Sequence, residues 1–125
     1  MPLLDRQARQ LATGADAVKS FTAKQHCEVE RTLALPASIQ TIADYRRWLI
    51  RFFGIYQPLE RLLSGFAGWT EAGIPIDQLG HTAALRKDLK AMARDPDVIE
   101  LASREALPMV ETLGHAFGAL YVLEG

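Results

Sequence analysis

The sequence has 125 residues, 49% of them apolar and 23% charged, which suits one folded domain and excludes a disordered chain. Its 14 Lys and Arg against 15 Asp and Glu give a net charge of -1, which excludes a general attraction for nucleic acid or anionic lipid. No apolar run approaches the ~20 residues of a membrane span, the charged opening MPLLDRQARQ is unlike a secretory signal, and the single Cys27 cannot form an internal disulfide. The expectation is a soluble cytoplasmic protein with one core, spanning residues 1–125, and without nucleic-acid or membrane partners.

Helical periodicity runs through most of the chain and no alternating strand pattern competes with it, so the fold class is all-α. Residues 1–12 are expected as a loose arm or a short helical turn. A first helix is expected from Ala15 to Leu33, a stretch without Gly or Pro that Pro36 closes. A second begins near Thr41, whose hydroxyl caps it, with Asp44 in the first turn. Its apolar positions Ile42, Tyr45, Leu49, Phe52, Phe53 and Tyr56 recur at three- and four-residue steps. Pro58 lacks a backbone donor, so a kink is expected there, with helix resuming through Leu63. Four glycines and Pro75 make Gly65–Gly80 a loop or a set of broken turns. A third helix spans Thr82 to Ala93 and stops before Pro96, and Val98–Ala106 is a short connecting helix or turn. Pro108 suits the first turn of the last helix, whose apolar pattern is still running at Gly125. The sequence is therefore expected to be the N-terminal portion of a longer domain.

Two helical stripes carry chemistry. At ~100° per residue, Lys19, Ala23, His26, Glu30 and Leu33 share one face of the first helix. An imidazole nitrogen is a good ligand for haem iron. Its second nitrogen needs an acceptor to fix tautomer and ring orientation, and Glu30, one turn on, is within reach. Ala23 is small enough for a flat macrocycle to approach the backbone, and the Lys19 ammonium is placed to meet a propionate. The competing reading is a solvated His–Glu pair. Cys27 lies ~100° round the helix from His26 and is expected as a small buried hydrophobe. His81 and His115 lack a second ligand at zinc-site spacing.

On the last helix Gly114, Gly118, Tyr121 and Gly125 share a face. Each helical glycine costs ~1 kcal/mol relative to Ala, so a compensating close approach is expected. That approach is either to another helix or to the open side of a haem.

Two segments together resemble the haem oxygenase family. Thr22-Ala23-Lys24-Gln25-His26-Cys27-Glu28-Val29-Glu30 is similar to its proximal-helix pattern, with Thr four residues before the ligand His and Glu four after it. Gly118-Ala119-Leu120-Tyr121-Val122-Leu123-Glu124-Gly125 is similar to the start of the distal helix in bacterial members, notably those associated with bacteriophytochromes. Between them, YRRWLIRFFGIYQPLE (Tyr45–Glu60) and LRKDL (Leu85–Leu89) fit the second helix and the Asp-Leu helix that follows.

The resemblance implies a multi-helical fold that sandwiches haem, with its C-terminal helices missing from this chain. His26 is then the axial ligand, Glu30 its hydrogen-bonding partner and Lys19 the propionate contact. Ala23 and Tyr121 lie against the cofactor, and Gly118 and Gly125 border the oxygen. The implied reaction opens haem, at once substrate and cofactor, to biliverdin, carbon monoxide and Fe2+. It uses O2 and electrons from a reductase or ferredoxin, with a bacteriophytochrome as a candidate acceptor of the product. The alternatives are a non-catalytic haem-binding or carrier module, an inactive fragment, and an all-helical scaffold without haem.

Overall fold

The computed structural model describes residues 2–35 and 37–124, with side chains described for residues 16–35 and 37–124. Every regular element among the described residues is helical. Four α-helices occur: α1 (Pro2–Leu33), α2 (Ile42–Ser64), α3 (Thr82–Ala91) and α4 (Leu113–Glu124). Four short 3-10 turns, Ala67–Trp69, Ile76–Gln78, Pro96–Val98 and Arg104–Ala106, punctuate the connections. The chain divides into two units, Met1–Gln40 and Thr41–Gly125.

The first unit is α1 and the turn that follows it. The helix begins at Pro2, well before Ala15, so the opening residues expected as an arm or a single turn are part of a longer helix. Pro at the first helical position loses no hydrogen bond, because that N–H has no intrahelical partner. The helix ends where Ala34 takes a left-handed conformation, φ 52°, and its N–H donates to the Glu30 carbonyl at 2.8 Å.

The second unit is organised around α2. Thr41 and Asp44 form a reciprocal capping box: the Thr41 hydroxyl accepts from the Asp44 N–H at 3.1 Å, and the Asp44 carboxylate accepts from the Thr41 N–H at 3.2 Å. The two buried clusters both draw on this helix. Leu49 and Phe53 pack with Leu89 of α3 and with Ile99. Further along, Leu59 and Leu63 pack with Trp69 and with Ala116 and Leu123 of α4. Ile42 and Tyr45, expected on the apolar face, are exposed, because the buried stripe starts only at Leu49.

α2 passes through Pro58 without ending. Proline deprives the Gly54 carbonyl of the i+4 donor it would otherwise receive. The N–H of Ala102 replaces it at 2.7 Å. Gly54 also makes the contact sterically possible, since a Cβ there would lie 2.9 Å from the Glu100 carbonyl oxygen. A glycine and a proline four residues apart therefore dock the 99–102 segment onto α2. Both residues that sequence reasoning treats as helix weakeners serve that one junction.

Trp69 fixes the far end of α2. Its ring is buried, packs edge-on against Phe66 and Phe117, and its Nε1–H donates to the Leu63 carbonyl at 2.6 Å. This bond satisfies one of the carbonyls that a helix C-terminus leaves without an intrahelical donor.

α3 takes its cap from α2. His81, the residue before the helix, makes no side-chain cap bond. Instead the Glu60 carboxylate accepts from the backbone N–H of His81 and of Thr82 and from the Thr82 hydroxyl. A carboxylate at a helix N-terminus is favoured by both the orphan donors and the helix dipole. Gly80 admits it: φ is +126°, and a Cβ there would meet the Glu60 carboxylate at 3.0–3.2 Å. α3 ends at Ala91 rather than Ala93. Ala93 adopts φ 59°, its N–H bonds the Lys90 carbonyl at 3.1 Å, and the Arg94 N–H bonds the Leu89 carbonyl at 2.9 Å. That pair of bonds is a Schellman motif with alanine where glycine is usual.

The last helix starts at Leu113, five residues after the expected Pro108. The Thr112 hydroxyl accepts from the His115 N–H at 3.1 Å, and the His115 Nδ1 accepts from the Glu111 N–H at 3.3 Å. Thr112 is the true start signal, and the residues from Pro108 up to it are non-helical.

Two stability predictions follow from these junctions. Gly54→Ala should destabilise the protein by about 1–2 kcal/mol, because the clash with a backbone oxygen outweighs the ~1 kcal/mol gain in helix propensity. Ala93→Gly should stabilise it by roughly 0.5–1 kcal/mol, because an L side chain in the left-handed region costs about 1–2 kcal/mol and glycine recovers part of that. Urea denaturation followed by circular dichroism reads both, as opposite shifts of the midpoint.

Candidate functional site

On α1 the described side chains are open to solvent over most of their length. His26 Nε2 lies 3.3 Å from Glu30 Oε1, with the two side chains 73% and 66% exposed. Lys19 and Ala23 lie on the same helix face and are exposed too. The structure thus brings His26 and Glu30 into contact and aligns Lys19 and Ala23 with them. The Thr22 hydroxyl bonds back to the Val18 carbonyl at 2.8 Å, and Thr32 to that of Glu28 at 2.8 Å, so both threonines are satisfied within the helix. Cys27, expected to be buried, is exposed: its own unit holds a single helix and no second described element packs over it there. Phe21, 82% exposed, shares that fate.

On α4 the described part of the glycine face is open rather than tightly packed. Gly118 is exposed, and a Cβ built on it meets nothing within 4 Å among the described residues. At Gly114 the nearest atom is the Thr112 hydroxyl oxygen at 3.8 Å. Tyr121 is 53% exposed on the same side. The opposite side of the helix, through Ala116 and Leu123, holds the buried contacts. Tight helix–helix packing within this unit therefore does not account for the glycines. Gly125, the remaining residue of the expected distal set, lies outside the described residues.

The other histidines have local structural roles. His81 Nε2 meets Glu124 Oε2 at 3.4 Å, and its ring lies 6.0 Å from that of Tyr56. This ties the end of α4 to the start of α3, a contact that sequence spacing alone did not reveal. His115 serves the cap described above. Among the described residues, no three His, Cys, Asp or Glu side chains converge as a metal-chelating group, and no helix is long and apolar enough to cross a membrane.

A polar cleft in the second unit is lined by Gln57, Glu60, Arg61, Thr82, Arg86 and Asp97 among others. Arg86 is held over the Phe53 ring at 5.7 Å, donates to Gln57 Oε1 at 3.3 Å, and pairs with Asp97. The hydrogen bond from Arg86, then its charge, holds the Asp97 carboxyl below its ordinary value. Any stabilisation from that pair is present above the ordinary aspartate range and fades as pH falls through the lowered value. It is screened by solvent, since Asp97 is exposed. Buried Gln57 and the pinned Arg86 make this a structural joint between α2, α3 and the Pro96 turn.

Comparison of the chain with protein-family models, with curated proteins and with solved structures finds no match.

The open glycine face generates a test. Gly118→Ala should leave the fold intact and raise stability by up to ~1 kcal/mol, the helix-propensity difference, because the added methyl meets open space. Thermal and urea unfolding of the chain without added ligand measure it; a loss of stability would mean that the face is packed.

Proposed function

We propose that this chain is of haem-oxygenase type, with the haem-oxygenase-like fold, and that His26 is the axial ligand to haem iron. The observation that carries the reading is the His26–Glu30 contact, found on an exposed face beside Ala23 and Lys19. The resemblance of the Gly118–Gly125 segment to a distal helix is a second line of support.

The donor set fits such a group. One imidazole backed by one carboxylate is too few ligands to hold a bare ion, but it suits a metal that arrives with its own equatorial nitrogens. Glu30 accepts a hydrogen bond from one ring nitrogen and so leaves the other as the lone-pair donor. In the contact seen, Nε2 faces Glu30. Iron ligation through Nε2, the nitrogen farther from the backbone, would require the ring to turn so that Nδ1 takes the Glu30 carboxylate in its place. Ala23 keeps the helix face low enough for a flat ring to lie along it, and Lys19 offers an ammonium to a propionate. On α4, Gly118 presents backbone without a side chain, so a small molecule such as O2 has room beside it. Tyr121 gives that face an aromatic wall.

Bound haem would supply both the redox iron and the ring that is oxidised, the products being biliverdin, carbon monoxide and Fe2+. The chain's own residues hold, orient and leave space. Electrons would come from a reductase or ferredoxin, as the family resemblance implies.

Anaerobic titration with haem, followed by reductant and air, tests the reading. The expected outcome is an iron–imidazole spectrum, lost in His26→Ala, with haem affinity weakened about tenfold or more in Glu30→Ala as the supporting hydrogen bond goes. Release of biliverdin and iron on aeration supports the enzyme, whereas stable oxidised haem points to a carrier. The same iron–imidazole spectrum in His26→Ala would refute the ligand assignment.

A further inference from the structure

A second concave surface lies entirely within the second unit, on the outer side of the cluster built around Trp69. It is a groove of about 690 Å3 between the last turns of α2 and the returning 102–110 segment. Its apolar wall is Pro58, Leu62 and Phe66 on one side and Leu107 and Val110 on the other. Each of these is half-buried, so apolar surface remains open to water there. Arg61 and Arg104 also line it, and no carboxylate does. Both arginines are exposed, and neither guanidinium has an ion-pair partner among the described residues.

Apolar walls alone do not say what covers them. The charges do. Two guanidiniums beside a half-buried apolar wall, neither within ion-pair distance of an acidic side chain among the described residues, complement an anion that carries an apolar body. Guanidinium forks match carboxylate geometry. The volume lies within the range of small-molecule sites and is small for a docked helix, which needs several turns of contact. We propose that this groove binds an amphipathic carboxylate, a fatty-acid-like molecule whose chain lies along Leu62, Phe66, Leu107 and Val110 and whose head meets Arg61 and Arg104. The site does not depend on His26, which belongs to the other unit.

Calorimetric titration of the full chain with dodecanoate, below its micelle concentration, is the test. A single site is expected. Arg61→Gln and Arg104→Gln together should weaken it at least tenfold, a loss of about 1.4 kcal/mol, and dodecanol, which has the same chain but no charge, should bind at least tenfold more weakly than dodecanoate. Both arginines are exposed, so the double variant should keep the circular dichroism of the parent. His26→Ala should leave dodecanoate binding unchanged, which separates this site from the proposed haem ligand. Equal binding of dodecanoate and dodecanol, unaltered affinity in the double variant, or no binding at all would overturn the proposal. So would a groove that takes an acidic amphipathic peptide and not dodecanoate.

Discussion

The hydrogen bond from the Ala102 N–H to the Gly54 carbonyl is the constraint on which the second unit rests. Pro58 creates the need for it by removing the donor within α2, and Gly54 removes the side chain that would block it. An unsatisfied buried carbonyl costs roughly 1–3 kcal/mol, so the chain gains by returning to this point. The return has a structural result. It holds Ile99 against Phe53 and Leu89 on one side of the junction. On the other it delivers Leu107 and Val110 to the cluster around Trp69. One long helix thus serves two cores because its weakest point is also its docking point.

The two units differ in what stabilises them. The second has buried leucines, a buried Trp and Phe, and caps borrowed across elements. In the first, the described side chains of α1 are almost all exposed, so its helix relies on intrahelical bonds and local pairs such as His26–Glu30. Exposed pairs of that kind are worth only a few tenths of a kcal/mol. A ligand on the α1 face would therefore add to a helix that has little other stabilisation, through the mass-action stabilisation that any native-state ligand supplies. The proposed chemistry asks the helix to present groups rather than to build a cavity of its own.

How much of this was legible in the sequence depends on whether a feature is local. The Thr41–Asp44 capping box, the stop before Pro96 and the His26–Glu30 contact each lie within four residues, and their spacing announces them. The donor lost at Pro58 is visible in the sequence, whereas its replacement comes from Ala102, 44 positions on, and is not. The Glu60 cap on α3 hides for the same reason: 21 residues separate it from His81. Pro108 was a plausible helix opener, yet Thr112 could actually bond to a helical N–H, and the capping geometry prevailed. At the candidate site, periodicity put Gly118 and Tyr121 on one face, but only the packing of Ala116 and Leu123 showed which side is filled. The Arg61–Arg104 groove joins residues 43 positions apart and left no trace in any local pattern.

Glu60 has a further consequence. Its backbone belongs to the interior of α2, yet its carboxylate closes the first turn of α3. Fraying at Thr82 would leave that carboxylate half-buried without its three donors, and unwinding near Glu60 would uncap α3. Melting of either helix is thereby charged to both, so amide protons near the start of α3 should exchange with solvent in concert with those in the second half of α2, as one cooperative block rather than as two independently breathing segments.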